Sequence, residues 1–219
     1  LRPVVDARVP NMFMRRPPSC SLAGGNVIAE IELPDEETLY VAQYDVKDFF
    51  YRLAMPPEMQ EWFGLPDVRL NLLREDLGVD VWDGMSLEGE GTIIPTLAVV
   101  PMGWSWALWW CQAIHERAVE SAGLPPCTRM TDGSPLPPLT SFPHLQYVDN
   151  FVVFGSDLEG VKSRLAAVSK ELERRGLALH KEQIDVGSAS VLGWDIEGAT
   201  KVVRPSRKRV WRIRLAIQG

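Results

Sequence analysis

The sequence predicts an α+β domain, and three observations predict it. Short β-branched or alternating runs, Thr38–Val46, Leu145–Phe154 and Leu177–Val186, have the period of half-buried strands. Two longer stretches, after Ser105 and after Ser156, carry apolar residues at helical spacing instead. Strands and helices follow one another without the regular alternation that a parallel sheet needs, so hairpins packed on helices are expected.

Residues 1–25 are Pro-rich and read as irregular, ending in Gly24-Gly25. In the strand Thr38–Val46, Leu39, Val41 and Gln43 fall on one face and Tyr40, Ala42 and Tyr44 on the other. Asp48–Leu53 reads as a helical turn stopped by Pro56-Pro57. Residues 65–92 mix short apolar runs with Gly and acids and read as loop and hairpin. Ile93–Val100 is β-branched but interrupted by Pro95, which suits an edge strand. Ser105 is the expected N-cap of a helix running to about Ala122, with Trp106, Trp109, Trp110, Ala113, Ile114 and Arg117 on one aromatic face that reads as core. Residues 123–143 are turn-like. Leu145–Phe154 reads as strand, turn and strand, with Asp149-Asn150 at the turn. Ser156 and Glu159 form a capping box for a helix whose buried stripe is Leu158, Val161, Leu165, Val168 and Leu172, ending at Gly176. Short strands are expected near Leu177–Val186, Val191–Ile196 and Lys201–Val203, and a basic helix from Pro205.

Composition narrows the function classes. Hydrophobic residues make up 46% and charged residues 24%, which excludes a disordered chain. No apolar run reaches the roughly 18 residues of a membrane span. Cys20, Cys111 and Cys127 lack CxxC spacing, so neither a disulfide framework nor a zinc site is expected. His115-Glu116 opens like a zincin motif, but Val119 stands where the second His would be. The net charge of −6 is unfavourable for a nucleic-acid binder, yet Lys201–Gly219 holds seven Lys/Arg and no acid. That block can track a phosphate backbone or form a solvated helix face. The chain opens on Leu1 without a signal-peptide pattern and reads as a piece of a longer, intracellular protein; nucleus and cytoplasm are not distinguished, nor is the oligomeric state.

The candidate chemistry rests on two acids. Asp45 stands in Tyr44-Asp45-Val46-Lys47-Asp48-Phe49-Phe50-Tyr51, and Asp149 in Tyr147-Val148-Asp149-Asn150-Phe151. Each leaves a strand-like apolar run, where an isolated carboxylate is costly. Two such acids at neighbouring strand ends would seat Mg²⁺, which binds through one or two carboxylates plus substrate phosphates.

These blocks resemble those of the reverse transcriptases, whose palm carries Asp-x-x-Asp-x-Phe/Tyr and a later Tyr-x-Asp-Asp turn. Three further segments resemble the family in the same order. Leu1-Arg2-Pro3-Val4-Val5-Asp6-Ala7-Arg8-Val9-Pro10-Asn11 is similar to a fingers block, Arg-x-x-Val-Asp-x-Arg-x-x-Asn; Val100-Pro101-Met102-Gly103 is similar to Leu-Pro-Gln-Gly, and Gly176-Leu177-Ala178-Leu179-His180 to Gly-Leu-x-Leu-Asn. Val191-Leu192-Gly193-Trp194 resembles the primer-grip hairpin. The resemblance implies a right-hand polymerase: an antiparallel palm sheet packed on helices, with residues 1–35 and 52–100 mainly fingers, 36–51 and 101–204 mainly palm, and 205–219 the start of a thumb. It implies two Mg²⁺ (or Mn²⁺) ions on Asp45, Asp149 and the Val46 carbonyl. Arg2 and Asp48 would lie at the triphosphate of a dNTP, Phe50 beneath its sugar, and Met102 and Gly103 against nucleotide and template. Lys181 would be the general acid, although it comes early and Gln183 stands near the family's position; His180 could share the role.

This chain departs from the pattern at Asn150, where the family has its second Asp, and at Met102, where it has Gln. Two functions stay open: RNA-directed DNA synthesis on an RNA or DNA template with primer, or a decayed domain that binds nucleic acid without extending it. A purely structural domain is a third. The Tyr-Val-Asp-Asn turn and the Trp-rich helix point to a retrotransposon-type element; no RNase H or integrase segment is read.

Overall fold

The computed structural model describes residues 5–218. In chain order its elements, besides short 3-10 turns, are α1 (Arg8–Phe13), α2 (Gly25–Ala29), β1 (Tyr40–Val46), α3 (Phe49–Arg52), α4 (Pro57–Gln60), β2 (Val68–Arg69), α5 (Leu70–Leu77), β3 (Val81–Trp82), β4 (Met85–Ser86), β5 (Thr92–Ile93), α6 (Ala107–Ser121), β6 (His144–Tyr147), β7 (Asn150–Gly155), α7 (Leu158–Arg174), β8 (Leu179–Val186), β9 (Ser188–Val191), β10 (Trp194–Glu197), β11 (Val202–Pro205) and α8 (Arg207–Gln218). Every strand pair is antiparallel, so the α+β class holds. No helix among the described residues is long and apolar enough to cross a membrane. The chain divides into two compact units: residues up to Pro17 with Phe50–Ala107, and Pro18–Phe49 with Leu108 onward.

The second unit is built on a four-stranded sheet in the order β6-β7-β1-β8. Alternation along β1 and β7 sends Val41, Val152 and Phe154 to one face. There they join Leu39, Val27, Ile28, Val191 and Ile196 in a single core, supplied from α2 and the β9-β10-β11 sheet. The opposite face carries Ala42, Tyr44, Phe151 and Val153, with Tyr44 and Phe151 stacked at 5.0 Å between centroids. Helix α7 covers that face with Val161, Leu165, Val168 and Leu172, the stripe read from the sequence. Its cap differs from expectation. Asp157, not Ser156, is the N-cap, and its carboxylate accepts from the Glu159 and Gly160 amides.

Helix α6 corrects the sequence reading more substantially. The aromatic face is not the core: Trp110 is 42% exposed and Leu108 41%, while Cys111, Gln112, His115, Ala118 and Val119 are buried. Small side chains allow a helix axis to approach a sheet, which the indoles would hold off. The helix begins two residues after Ser105, at Ala107.

The first unit has its own core of Ala7, Met55, Phe63, Val100, Trp104 and Ala107. Residues 65–92, expected as loop and hairpin, contain the helix α5 as well as the β3-β4 hairpin. Leu70, Leu73 and Leu77 have helical spacing and Gly78 ends the helix, but none of the α5 residues is buried, so no strong apolar stripe announced it. The expected edge strand Ile93–Val100 pairs only at Thr92–Ile93 and through isolated bridges at Thr96 and Val99, as Pro95 interrupts the ladder. Residues 1–25 are not wholly irregular, since α1 and the start of α2 fall within them. At the far end Ser206 precedes α8, with its Oγ accepting from the Arg209 amide, while Pro205 closes β11.

Gly25 packs against the Trp194 indole so closely that a Cβ would overlap the ring. Replacing Gly25 by Ala should therefore cost about 1–3 kcal/mol of stability. Urea titration measures it, and the loss should shrink in a Trp194→Leu background because the indole edge is the obstacle.

Candidate functional site

Strand pairing gathers the expected acids. Asp45 lies one residue from the end of β1, directly opposite Asn150 of β7 on one side and His180 of β8 on the other. Residues opposite one another in antiparallel strands share a face, so Asn150, Asp45 and His180 form a row across three strands. Asp149 sits in the two-residue turn before β7, and its carbonyl accepts from the Val46 amide at 2.7 Å. That bond docks the turn onto the end of β1. Asp45, Asp149 and Asn150 are half-buried, and Val46 is buried.

The turn falls one residue earlier than the sequence suggested. Val148 and Asp149 form it, and Asn150 belongs to β7. Val148 has φ +56°, a left-handed conformation that costs a β-branched residue about 1–3 kcal/mol. Helix α6 holds it there. Gln112 Oε1 accepts from the Val148 amide at 2.9 Å, and His115 Nδ1 lies 2.8 Å from the Val148 carbonyl. A carbonyl only accepts, so Nδ1 carries the proton and Nε2 accepts from the Tyr44 hydroxyl at 2.9 Å. Gln112 Nε2 also donates to the Gln146 carbonyl and to Glu116. Complete burial pushes His115 down to about 4, and burial raises the Tyr44 hydroxyl well above its ordinary value. Both groups are thus neutral, as this hydrogen-bond chain requires. Sequence reasoning missed Gln112 and His115; their signal was two polar residues at helical spacing beside Cys111 and Ala118.

Asn150 has a specific partner. Its amide nitrogen donates to Asp149 Oδ1 at 2.9 Å, which leaves the Asn150 carbonyl and the other Asp149 oxygen available. Cys111, fully buried, has its thiol pushed up to about 12 by burial and secondarily by the negative charge of Asp149, so it is an inert packing group. No cluster of three or more His, Cys, Asp or Glu is gathered around a metal position among the described residues. Two carboxylates and an amide carbonyl are instead an oxygen set that suits Mg²⁺ sharing its shell with water and phosphate.

Lys181 sits at an irregularity in the β1-β8 ladder. Gln43 pairs with Gln183 and Asp45 with His180, so Lys181 and Glu182 together oppose Tyr44. Lys181, at φ +57°, marks this β-bulge. Lys181 and His180 are exposed, and Glu182 accepts from Ser169. Asp48 is exposed in the turn after β1, at φ +53°.

Phe50, Met102 and Gly103 belong to the first unit. Phe50 packs, half-buried, against the core that includes Val100 and Trp104. The Met102 carbonyl accepts from the Val5 amide, and Asn11 clasps the loop through the Gly103 carbonyl at 3.0 Å and the Ser105 amide at 2.9 Å. Gly103 has φ +112°, and a Cβ there would strike the Val5 carbonyl. Arg2 lies outside the described residues.

No protein-family profile matches the chain, and no curated protein matches its sequence. Solved structures do. The foamy viral protease-reverse transcriptase dRH in complex with double-stranded DNA superposes with a TM-score of 0.62 at 13% identity, over 96% of this chain and 29% of that one. The foamy viral protease-reverse transcriptase with double-stranded DNA gives 0.60 at 11%, over 94% and 34%. Its complex with an RNA/DNA hybrid gives 0.60 at 13%, over 96% and 22%. The fold is reverse-transcriptase-like. At these identities the likeness is one of fold, and this reverse-transcriptase-like chain spans about a third or less of those proteins.

His144 is buried as well, and burial pushes it down to about 4. With His115 it sets a pH dependence of stability. The unfolded chain takes up protons below an ordinary histidine value near 6.5, whereas the folded state resists until about 4. Stability is complete above that ordinary value and falls as pH drops toward 4, by up to about 1.4 kcal/mol per pH unit for each residue. Urea midpoints at pH 7 and pH 5 should show the decline, reduced by about half in His144→Leu.

Proposed function

We propose that this domain is an RNA-directed DNA polymerase, transferring a nucleotide from a dNTP to a primer 3′-hydroxyl on an RNA or DNA template. The observation that carries the reading is the register of β1 with β7, reinforced by the Val46–Asp149 main-chain bond, which sets Asp45 and Asp149 at one end of one sheet. The reverse-transcriptase-like fold supports it.

In this reading Asp45, Asp149 and the carbonyls of Val46 and Asn150 would hold Mg²⁺ or Mn²⁺, and two such ions neutralise charge on a transferring phosphoryl group. The chain's own work is positioning. Asp45 comes from β1 and Asp149 from the turn before β7, so the β1-β7 ladder places the first and the Val46–Asp149 main-chain bond docks the second beside it. Arg2 and Asp48 orient the triphosphate, Phe50 rejects a 2′-hydroxyl by its bulk, and the loop of Met102 and Gly103 contacts nucleotide and template. Lys181 is the proposed proton donor to departing pyrophosphate, with His180, opposite Asp45, as the other group of suitable chemistry. Residues 1–35 and 52–100 are assigned mainly to fingers, 36–51 and 101–204 mainly to palm, and 205–219 to the start of a thumb whose basic face tracks the duplex. The retrotransposon-type origin rests on the sequence pattern; the matched structures are viral.

One observation favours a second reading, binding without synthesis: the Asn150 amide engages a carboxylate oxygen of Asp149 that a metal would otherwise use. Primer extension on an RNA template with Mg²⁺ or Mn²⁺ separates the two. Extension by the parent, lost at least about a thousandfold in Asp45→Ala as expected when a metal ligand is removed, supports the polymerase. Activity only in Asn150→Asp identifies a site disabled by one missing charge, and silence in both defeats the polymerase reading.

Nucleic-acid binding is tested separately by its salt dependence. If Lys208 and Arg212 each neutralise one phosphate, replacing either by Ala should flatten the slope of log K against log salt by about 1. A binding constant indifferent to salt would count against both readings.

A further inference from the structure

We infer that Gln112 and His115 are positioning residues for Asp149: helix α6 holds the Val148–Asp149 turn in a backbone conformation it would not otherwise adopt, and ties it to the strand that carries Asp45. The inference rests on the nucleotidyl-transfer reading for its catalytic consequence, and on geometry alone for the clamp.

The turn must aim one carboxylate at a neighbour on another strand, and its leading residue is a poor choice for the task. Valine in the left-handed region brings its branched Cβ against the backbone, so left to itself this two-residue turn would favour other conformations. Val148 is also buried, 8% exposed, which removes water as a partner for its amide and carbonyl. Gln112 and His115 supply both partners from adjacent turns of α6, at 2.9 and 2.8 Å. Each helper is itself fixed. Gln112 has its amide nitrogen bound to the Gln146 carbonyl and Glu116, and Glu116 is paired with Arg129. His115 is set by the Tyr44 hydroxyl, and its ring packs against Phe49 and Phe151. Tyr44 immediately precedes Asp45. The chain Tyr44–His115–Val148 therefore connects the residue before one acid to the residue before the other, independently of the β1-β7 ladder. Neither Gln112 nor His115 stands in a motif block, so a sequence comparison built on the acids would pass over both.

The test uses Gln112→Met, which keeps volume and removes both polar groups, and His115→Leu, with His115→Asn as the conservative variant that retains a donor for the Val148 carbonyl. Thermal midpoints establish that each variant folds. Amide hydrogen exchange then reads the turn directly. Exchange at Val148 and Asp149 should speed up at least about tenfold in Gln112→Met and His115→Leu, the size expected for losing one buried hydrogen bond, and recover in His115→Asn. Primer extension should show kcat falling at least about tenfold with KM for dNTP within about twofold, as for a group acting on the reacting geometry and not on substrate binding. In a Val148→Gly background, where the left-handed turn needs no clamp, the kcat loss from Gln112→Met should shrink. Unchanged exchange in both variants, or a kcat loss equally large in Val148→Gly, overturns the clamp. Loss of extension in the parent as well, with the exchange contrast intact, would overturn the polymerase reading and leave the clamp standing.

Discussion

The geometry of this domain depends on a main-chain hydrogen bond that a valine makes difficult. The Val46 amide donates to the Asp149 carbonyl at 2.7 Å, and the residue before Asp149, Val148, takes a left-handed conformation. Strain of about 1–3 kcal/mol at one residue is comparable to what two net hydrogen bonds return, at about 0.5–1.5 kcal/mol each. The contributions of Gln112 and His115 are therefore on the scale of the strain they oppose. The β1-β7 ladder brings the strands together, but it ends at Asp45 and Asn150 and leaves the turn beyond it to be shaped by α6.

That dependence explains the composition of α6. A helix that must deliver two polar side chains to a turn has to lie close to the sheet, and Cys111 and Ala118 are the small residues that permit it. The tryptophans are displaced to the flanks, where Trp109 and Trp110 pack edge to face at 4.9 Å and Trp110 remains partly exposed. Burial then does the electrostatic work. It keeps His115 neutral, which fixes one proton on Nδ1 and one lone pair on Nε2, the only arrangement that serves both Val148 and Tyr44.

Much of this was legible in the sequence. The stripe on α7, the strand carrying Asp45 and the hairpin carrying Asp149 were readable because buried faces impose a period, and the period survives any tertiary detail. Other features were not, for identifiable reasons. The α6 face was misassigned because hydrophobicity favours Trp over Ala and Cys, whereas close approach favours the reverse. The turn was placed one residue late because valine carries no turn signal; its conformation is imposed by partners far away in sequence. The bulge at Lys181 is likewise a property of the pairing with Tyr44, visible only once both strands are in register. That two acids would fall at the ends of paired strands could be read from the runs they leave, but the contacts of Gln112 and His115 with the turn could not.

Asn150 gains a physical meaning in this setting. Two carboxylates at hydrogen-bonding distance repel unless a cation lies between them, and each is already costly in a half-buried place. An asparagine turns that repulsion into a donated hydrogen bond at 2.9 Å. It stabilises the turn, and were the proposed site to take a cation, the same contact would compete with the ion for an Asp149 oxygen. An aspartate would reverse both terms, straining the metal-free hairpin and strengthening the ion's hold. In the proposed polymerase reading, the residue at position 150 would thus trade structural stability against cation affinity. On the inferred α6 clamp the turn would survive either side chain, because Val148 is held through its backbone and not through the side chain at position 150.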